Sequence, residues 1–191
     1  MTPNDVFARL GSQFGEEAVF DFHGSSKEGP KKDKDPWFQC SPARIVEIAA
    51  FLRDQDDLAF DFMECMTGTD WPEKKQIHVA IHLYSYVHKH RVVLKLFLNR
   101  EAPSMPTLSA VWPVANWQER ECFDLLGVVF EGHPDLRRLL LPDDWIGHPL
   151  RKDFVEANDY HGIPTTRPNP LDLLKPPLVK IGIPSKEPAK A

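Results

Sequence analysis

The sequence predicts an α+β fold: a ferredoxin-like sandwich with a mostly antiparallel sheet and helices on one face, followed by an extended Pro-rich C-terminal tail. Three observations carry this expectation. Residues 77–83 and 92–98 alternate apolar and polar side chains with a period of two. Residues 41–54 and 116–127 instead repeat at helical spacing between start and stop signals. The order is strand, helix, strands, helix, which favours segregated layers over alternating βα units.

In chain order, Val6, Phe7, Leu10 and Phe14 lie near helical spacing and predict a short amphipathic helix over 3–14. Residues 19–22 and 37–40 read as short strands, separated by a polar loop over 24–35 whose Lys31, Lys32 and Lys34 form a solvated surface. Ser41 as N-cap and Pro42 at the first helical position open a helix with Ile45, Ile48, Ala49 and Leu52 on its buried stripe. Leu58, Phe60 and Phe62 alternate with Ala59, Asp61 and Met63, which predicts a strand. Ile77, Val79, Ile81 and Leu83 then face one way and His78, Ala80, His82 and Tyr84 the other. Val92, Leu94, Leu96 and Leu98 repeat the pattern after a polar turn, as in an antiparallel hairpin. A third short strand is expected over 107–111. Asn116 with Glu119 suggests a capping box for a second helix that Gly127 ends.

These elements make a domain over 1–154. Beyond it, prolines at 164, 168, 170, 176, 177, 184 and 188 leave no run long enough for a helix. Residues 155–191 are therefore expected to be an extended partner-binding tail. Its apolar residues Leu171, Leu173, Leu174, Leu178, Val179 and Ile181 favour docking, and its end after Pro184 is expected to be mobile.

A 191-residue chain buries about 70% of its unfolded surface, so neither metal nor disulfide is required for folding. A net charge of −5 and a pI near 5.9 argue against sequence-independent nucleic-acid binding. No segment approaches the roughly 18 apolar residues of a spanning helix. The N-terminus lacks the basic and apolar regions of a signal peptide, which makes cytoplasmic residence the expectation. Cys40, Cys65 and Cys122 form no C-x-x-C pair and are expected to be buried reduced thiols.

Functional residue types concentrate between 115 and 154. Arg120 and Asp124 have the spacing of an intrahelical ion pair. Glu119 and Glu121 stand two apart on a helix, so they do not face one another as a shared-proton pair. Two Gly-His-Pro triplets, at 132–134 and 147–149, place His133 and His148 in turns where bonding to backbone is favoured over metal ligation. His78 and His82 share a strand face open to solvent or a partner. Glu131, Asp135, Asp143, Asp144 and Asp153 balance Arg137, Arg138, Arg151 and Lys152. Such a pattern either locks an irregular backbone internally or docks on a carboxylate-bearing surface. Trp112, Trp117 and Trp145 are large anchors suited to core or interface. No phosphate loop, nucleophile elbow or dinucleotide fingerprint occurs.

The run Trp112-Pro113, Asn116-Trp117-Gln118-Glu119-Arg120-Glu121, Asp124-Leu125-Leu126-Gly127-Val128, Phe130-Glu131-Gly132-His133-Pro134-Asp135-Leu136-Arg137-Arg138 and Gly147-His148-Pro149-Leu150-Arg151-Lys152-Asp153 resembles the signature of the 30 kDa subunit, or C subunit, of bacterial type I NADH:quinone oxidoreductase, respiratory complex I. Leu126 stands where that family commonly has an aromatic residue and Phe154 where it commonly has tyrosine. The resemblance implies a structural subunit of the peripheral arm, on the cytoplasmic side of the inner membrane, in a complex that couples electron transfer from NADH to quinone to proton translocation. It implies no catalytic residue and no cofactor bound by this chain, with FMN, iron–sulfur clusters and quinone held by partner subunits. The implied partners are the complex I subunits D, B and I. The implied interface comprises Glu119, Arg120, Glu121, Asp124, His133, Asp135, Arg137, Arg138, Trp145, His148, Arg151, Lys152 and Asp153. Two alternatives are an accessory subunit of an energy-converting hydrogenase or formate hydrogenlyase, and a stand-alone metal hydrolase using His133, Asp135 and His148.

Overall fold

The strongest alternation in the sequence becomes the centre of the sheet. In the computed structural model, which describes residues 1–24 and 35–165, β4 (Gln76–Ser85) and β5 (His90–Asn99) pair antiparallel from Gln76↔Asn99 to Ser85↔His90. Ile77, Val79, Ile81 and Leu83 lie opposite Leu98, Leu96, Leu94 and Val92, and all are buried. Each fully buried aliphatic side chain stabilises the fold by about 1.5–3 kcal/mol, so this double row sets the register.

The sheet grows outward from that hairpin. On one side β3 (Phe62–Trp71) pairs antiparallel with β4. On the other, β2 (Trp37–Cys40) pairs parallel with β5 and antiparallel with β1 (Val19–His23), giving the order β1-β2-β5-β4-β3. A helix, α2 (Ile45–Asp54), carries the chain from β2 to β3 at the far edge of the sheet. Val6 and Leu10 of α1 (Pro3–Phe14), Ile48 and Leu52 of α2, and Cys122 and Leu126 of α3 (Ala115–Leu126) join one core with the inward strand residues. The helices therefore cover one face, as the α+β reading requires. A two-stranded parallel pair, β6 (Ser104–Pro106) and β7 (Val129–Glu131), brackets α3 in sequence.

Helix α3 also guards an edge. The Met66 N–H at the outer edge of β3 donates to Gln118 Oε1 at 2.6 Å. Gly68 lets the two elements close up, because a Cβ there would collide with Leu126 Cδ1. An edge strand covered in this way offers fewer free backbone groups to another chain.

Local expectations fail where tertiary contacts override propensity. Ser41 makes no side-chain cap; Pro42–Arg44 is a 3₁₀ turn that leads into α2. Leu58 and Phe60 are buried, yet they sit in a turn that closes α2, with Phe60 N–H bonded to Leu52 O and Ala59 at φ 42°. The strand begins at Phe62 and runs to Trp71, hidden from the alternation test by a bulge between Met63 and Cys65 that makes the buried spacing three. Residues 107–111 are no strand, because Val111 and Trp112 N–H groups both turn back to Leu108 O. The chain from Trp112 runs by turns directly into α3, so Val114 rather than Asn116 is the N-cap position and no capping box forms.

Residues from Val155 form a second unit. Its described part is a small hairpin, β8 (Asp159–Tyr160) with β9 (Ile163–Pro164), turned by His161 and Gly162 at positive φ. The tail residues expected to dock, 171–181, the end after Pro184 and most of the lysine-bearing loop lie outside the described residues. Leu94→Ala, at the centre of the double row, is expected to lower stability by about 2–5 kcal/mol, measured by urea unfolding of the whole chain.

Candidate functional site

The signature residues gather around α3. A helix leaves its last carbonyls without partners, and here the 147–151 segment supplies them. His148 Nδ1 bonds to Asp124 O at 2.9 Å, Leu150 N–H to Leu125 O at 3.0 Å, and Arg151 Nε to Leu126 O at 2.7 Å. Since a carbonyl only accepts, the His148 proton is on Nδ1. Gly127 ends the helix at φ 75°, and a Cβ there would lie 2.6 Å from His148 Nε2. The second Gly-His-Pro triplet is thus a tertiary helix cap.

Asp124 anchors the strap formed by residues 132–153. Its side chain is fully buried. One carboxylate oxygen accepts from Arg138 Nη1 at 2.9 Å, and the other accepts three consecutive backbone N–H groups, Leu139, Leu140 and Leu141, at 2.7–3.0 Å. Arg138 also donates to the carbonyls of Trp145 and Gly147. Arg120 stacks on Trp117 at 5.2 Å and donates to the carbonyls of Arg137 and Arg138. The expected Arg120–Asp124 pair is therefore replaced by two separate attachments to the strap, because each side chain meets richer partners across the turn than along the helix.

The other end of α3 is fastened by buried Glu119, which accepts from Thr107 Oγ1 at 2.5 Å and Leu108 N–H at 2.6 Å. His133 accepts the Asp135 N–H on Nδ1 at 3.0 Å, so Nε2 carries the proton toward Asn116 O at 3.2 Å, with Glu119 Oε2 3.8 Å away. A further anchor went unseen in the sequence. Buried Asp70 takes two bonds from Arg100, at 2.7 and 2.9 Å, and the Lys152 N–H at 2.8 Å, while Arg100 also reaches Asp153 at 2.6 Å. The only sequence trace of it is an Asp among the buried positions of β3 and an Arg directly after β5.

Electrostatics follow from these contacts. The Arg100 guanidinium holds the Asp70 carboxyl below its usual 3.8, against the opposing effect of burial and with help from the Lys152 N–H. Burial pulls Asp124 upward, but the three backbone N–H groups and Arg138 outweigh it and leave it below 3.8. Glu119 moves the other way, since burial raises it above 4.5 despite Thr107, Leu108 and His133. Burial pushes the Cys122 thiol up to about 12 and raises Cys40 further. Cys65, expected to be buried, is exposed at the edge strand.

What remains outward is a different set. Glu121, Lys152 and Asp153 are exposed, Asp135 and Arg137 pair at 3.0 Å on the surface, and Trp145 is half-buried. Between the anchors the strap presents Leu140, Ile146 and Leu150, at 63, 90 and 53% exposure. Among the described residues no group of three or more His, Cys, Asp or Glu converges as metal ligands, and His133, Asp135 and His148 bond to backbone or to Arg137 rather than to a common point. No described helix is long and apolar enough to cross a membrane.

The chain is thus an α+β sheet backed by helices, with an irregular strap fastened by buried carboxylates and carrying apolar side chains turned outward. Residues 38–160 match the family model described as respiratory-chain NADH dehydrogenase, 30 Kd subunit, and the chain belongs to that family. It is 45% identical over 132 residues to the NADH-quinone oxidoreductase C subunit of Chlorobium phaeobacteroides, covering 69% of this chain and 75% of that one. The corresponding subunit of Moorella thermoacetica is 52% identical over 117 residues, 59% of this chain and 79% of its own. For Chloroherpeton thalassium the identity is 45% over 116 residues, 61% of this chain but only 48% of the relative, so the chain spans about half the length of that protein. Among solved structures, a trypsin-resistant fragment (1-134) of Nqo5 superposes with a TM-score of 0.55 at 25% identity, covering 71% of this chain and all of that one. A chain of the membrane-bound sulfane sulfur reductase, an archaeal respiratory membrane complex, shares the fold with a TM-score of 0.63 at 22% identity, over 80% and 85% of the two chains.

Asp124→Ala is expected to destabilise the chain by about 3–5 kcal/mol, because it leaves Arg138 and three backbone N–H groups without their acceptor. Urea unfolding at neutral pH measures this, and a loss below about 1 kcal/mol would show that the anchor is dispensable. Both Asp70 and Asp124 titrate below 3.8 when folded, so the unfolded chain binds more protons as pH falls through 3.8, and stability drops with it. Glu119 acts with the opposite sign: its contribution is complete below 4.5 and is lost as pH rises through its higher folded value. Asp70→Asn should therefore flatten the acid limb of a stability–pH curve below 3.8, whereas Glu119→Gln should flatten the slope above 4.5.

Proposed function

We propose that this chain acts as a non-catalytic structural and assembly subunit of the peripheral arm of an NADH:quinone oxidoreductase. Family membership supplies the complex. The single observation that supports the scaffold role is the strap, a 132–153 segment without regular structure that buried Asp124 and Asp70 nevertheless hold in one conformation, with Ile146 almost wholly outside. A preorganised surface binds without an ordering cost of about 0.5–1.5 kcal/mol per immobilised side chain.

In this reading the strap seats on the D subunit of the complex, and the neighbouring cluster-bearing B and I subunits complete the contact. FMN, iron–sulfur clusters and quinone belong to those and other partners, and electrons pass from NADH to quinone without touching this chain's side chains. Attachment to the cytoplasmic side of the inner membrane runs through the partners. The hydrogen-bonded signature residues Glu119, Arg120, Asp124, His133, Arg138 and His148 hold the surface in shape, while Glu121, Arg137, Lys152, Asp153 and the apolar tips meet the partner.

Ile146→Asp separates these roles, since a 90% exposed side chain contributes little to the isolated fold. Pull-down of the tagged chain from native membranes, with mass spectrometry and a NADH:quinone reductase assay, should show at least tenfold less co-recovered partner and activity at unchanged melting temperature. Equal recovery would remove the strap from the interface, and recovery of hydrogenase subunits instead would move the chain to a sister assembly.

A further inference from the structure

Asp70, Glu119 and Asp124 are the buried carboxylates among the described residues, and Glu119 differs from the others in having no guanidinium: Asp70 binds Arg100 and Asp124 binds Arg138. The Glu119 side chain is 0% exposed, so the groups packed around it decide its charge. Its two oxygens meet different kinds of donor. Oε1 accepts the Leu108 N–H at 2.6 Å, and a backbone N–H there cannot turn away. Oε2 meets the Thr107 hydroxyl at 2.5 Å, and that hydroxyl lies 2.8 Å from the Ser109 hydroxyl and accepts the Ser109 N–H at 3.1 Å.

A hydroxyl carries one proton and two acceptor sites and rotates to suit its partners. With the carboxylate ionised, Ser109 O–H points to Thr107 and Thr107 O–H points to Oε2. With a proton from water on Oε2, that new O–H donates to Thr107, Thr107 turns its own proton to Ser109, and half-buried Ser109 turns its proton outward. Every heavy-atom contact survives, and no two donors face each other. Asp70 and Asp124 lack this freedom, because all their partners are N–H groups that only donate. The nearby imidazole lacks it too. His133 Nε2 stands 3.8 Å from Oε2, but Nδ1 accepts the Asp135 N–H, so a second ring proton would face that N–H and open the turn. The other charged or titratable groups around the site are turned away or neutral: Arg120 binds the carbonyls of Arg137 and Arg138, Glu121, Glu131 and Asp135 are exposed, and burial pushes the Cys122 thiol up to about 12.

We infer that Glu119 Oε2, Thr107 and Ser109 form a proton-binding site inside the domain, which fills and empties while α3 stays fastened to residues 107–109. Burial raises Glu119 above 4.5, whereas Asp70 and Asp124 titrate below 3.8, so the site fills while both strap anchors are still charged.

The test follows the full chain by NMR across a pH titration, with carbon-13 in the Glu carboxyls and nitrogen-15 in backbone and imidazoles, assigned through the backbone. The Glu119 carboxyl carbon should titrate with a midpoint above 4.5. Across that step the His133 Nδ1 signal should stay that of an unprotonated nitrogen, and the exchange protection of the Leu108 and Asp135 amides should hold within about twofold. Ser109→Ala should lower the midpoint by about half a pH unit or more, because Thr107 then has no acceptor for its proton in the acid form. Glu119→Gln, whose amide stands in for the protonated carboxyl, should keep the Leu108 amide protected at every pH. A His133 Nδ1 that gains a proton at the Glu119 midpoint assigns the proton to the ring and overturns the inference. Loss of Leu108 protection at that midpoint or in Glu119→Gln, an unchanged midpoint in Ser109→Ala, or no Glu119 step above 4.5 overturns it as well.

Discussion

The Asp124 carboxylate is the contact on which the conformation of the strap depends. Three consecutive backbone N–H groups and one guanidinium converge on it in a buried position. An irregular segment has no ladder of its own to satisfy its backbone, so it needs side chains to take that role. Asp124 does so at the start of the strap's apolar run, and the same turn of α3 offers its terminal carbonyls to His148, Leu150 and Arg151. Strap and helix thereby complete each other: the donors that one leaves unpaired meet the acceptors that the other leaves open.

Asp70 repeats the device from the sheet. Its two bonds from Arg100 and one from Lys152 tie the far end of the strap to β3 and to the residue after β5. A buried ion pair is by itself weak evidence for stability, because desolvation offsets its attraction. Its consequence here is conformational. Two carboxylates at separate elements leave the segment between them one path, and that path turns Leu140, Ile146 and Leu150 away from the core.

In the proposed role the chain contributes to an electron-transfer complex through the shape of its surface. An assembly that passes electrons between cofactors in different subunits requires those subunits to keep fixed distances, and rigid adaptor surfaces meet that requirement. The proposed strap contact would be such a surface, with the double aliphatic row of β4 and β5 in the core behind it.

Much of this architecture was legible in the sequence, because the hairpin and helices bury one-sided patterns whose period does not depend on distant residues. The amphipathic α1, the α2 stripe, the β4–β5 hairpin and the Gly127 stop follow from spacing and from glycine's access to positive φ alone. Leu58 and Phe60 mimicked a strand because burial in a turn and burial in a sheet leave the same mark over a few residues, and β3 was obscured because one bulge shifts its phase. The residue types of the site were also visible: carboxylates, arginines and the Gly-His-Pro triplets. Their pairing was not. Arg120 and Asp124 stand at ideal helical spacing, yet each takes partners from the strap, and Asp70 reaches residues 30 and 82 positions away. Local periodicity is a property of neighbouring residues, whereas a hydrogen bond between distant segments exists only after the core has brought them together, so the sequence determined the layers and only the tertiary structure decided which polar groups meet.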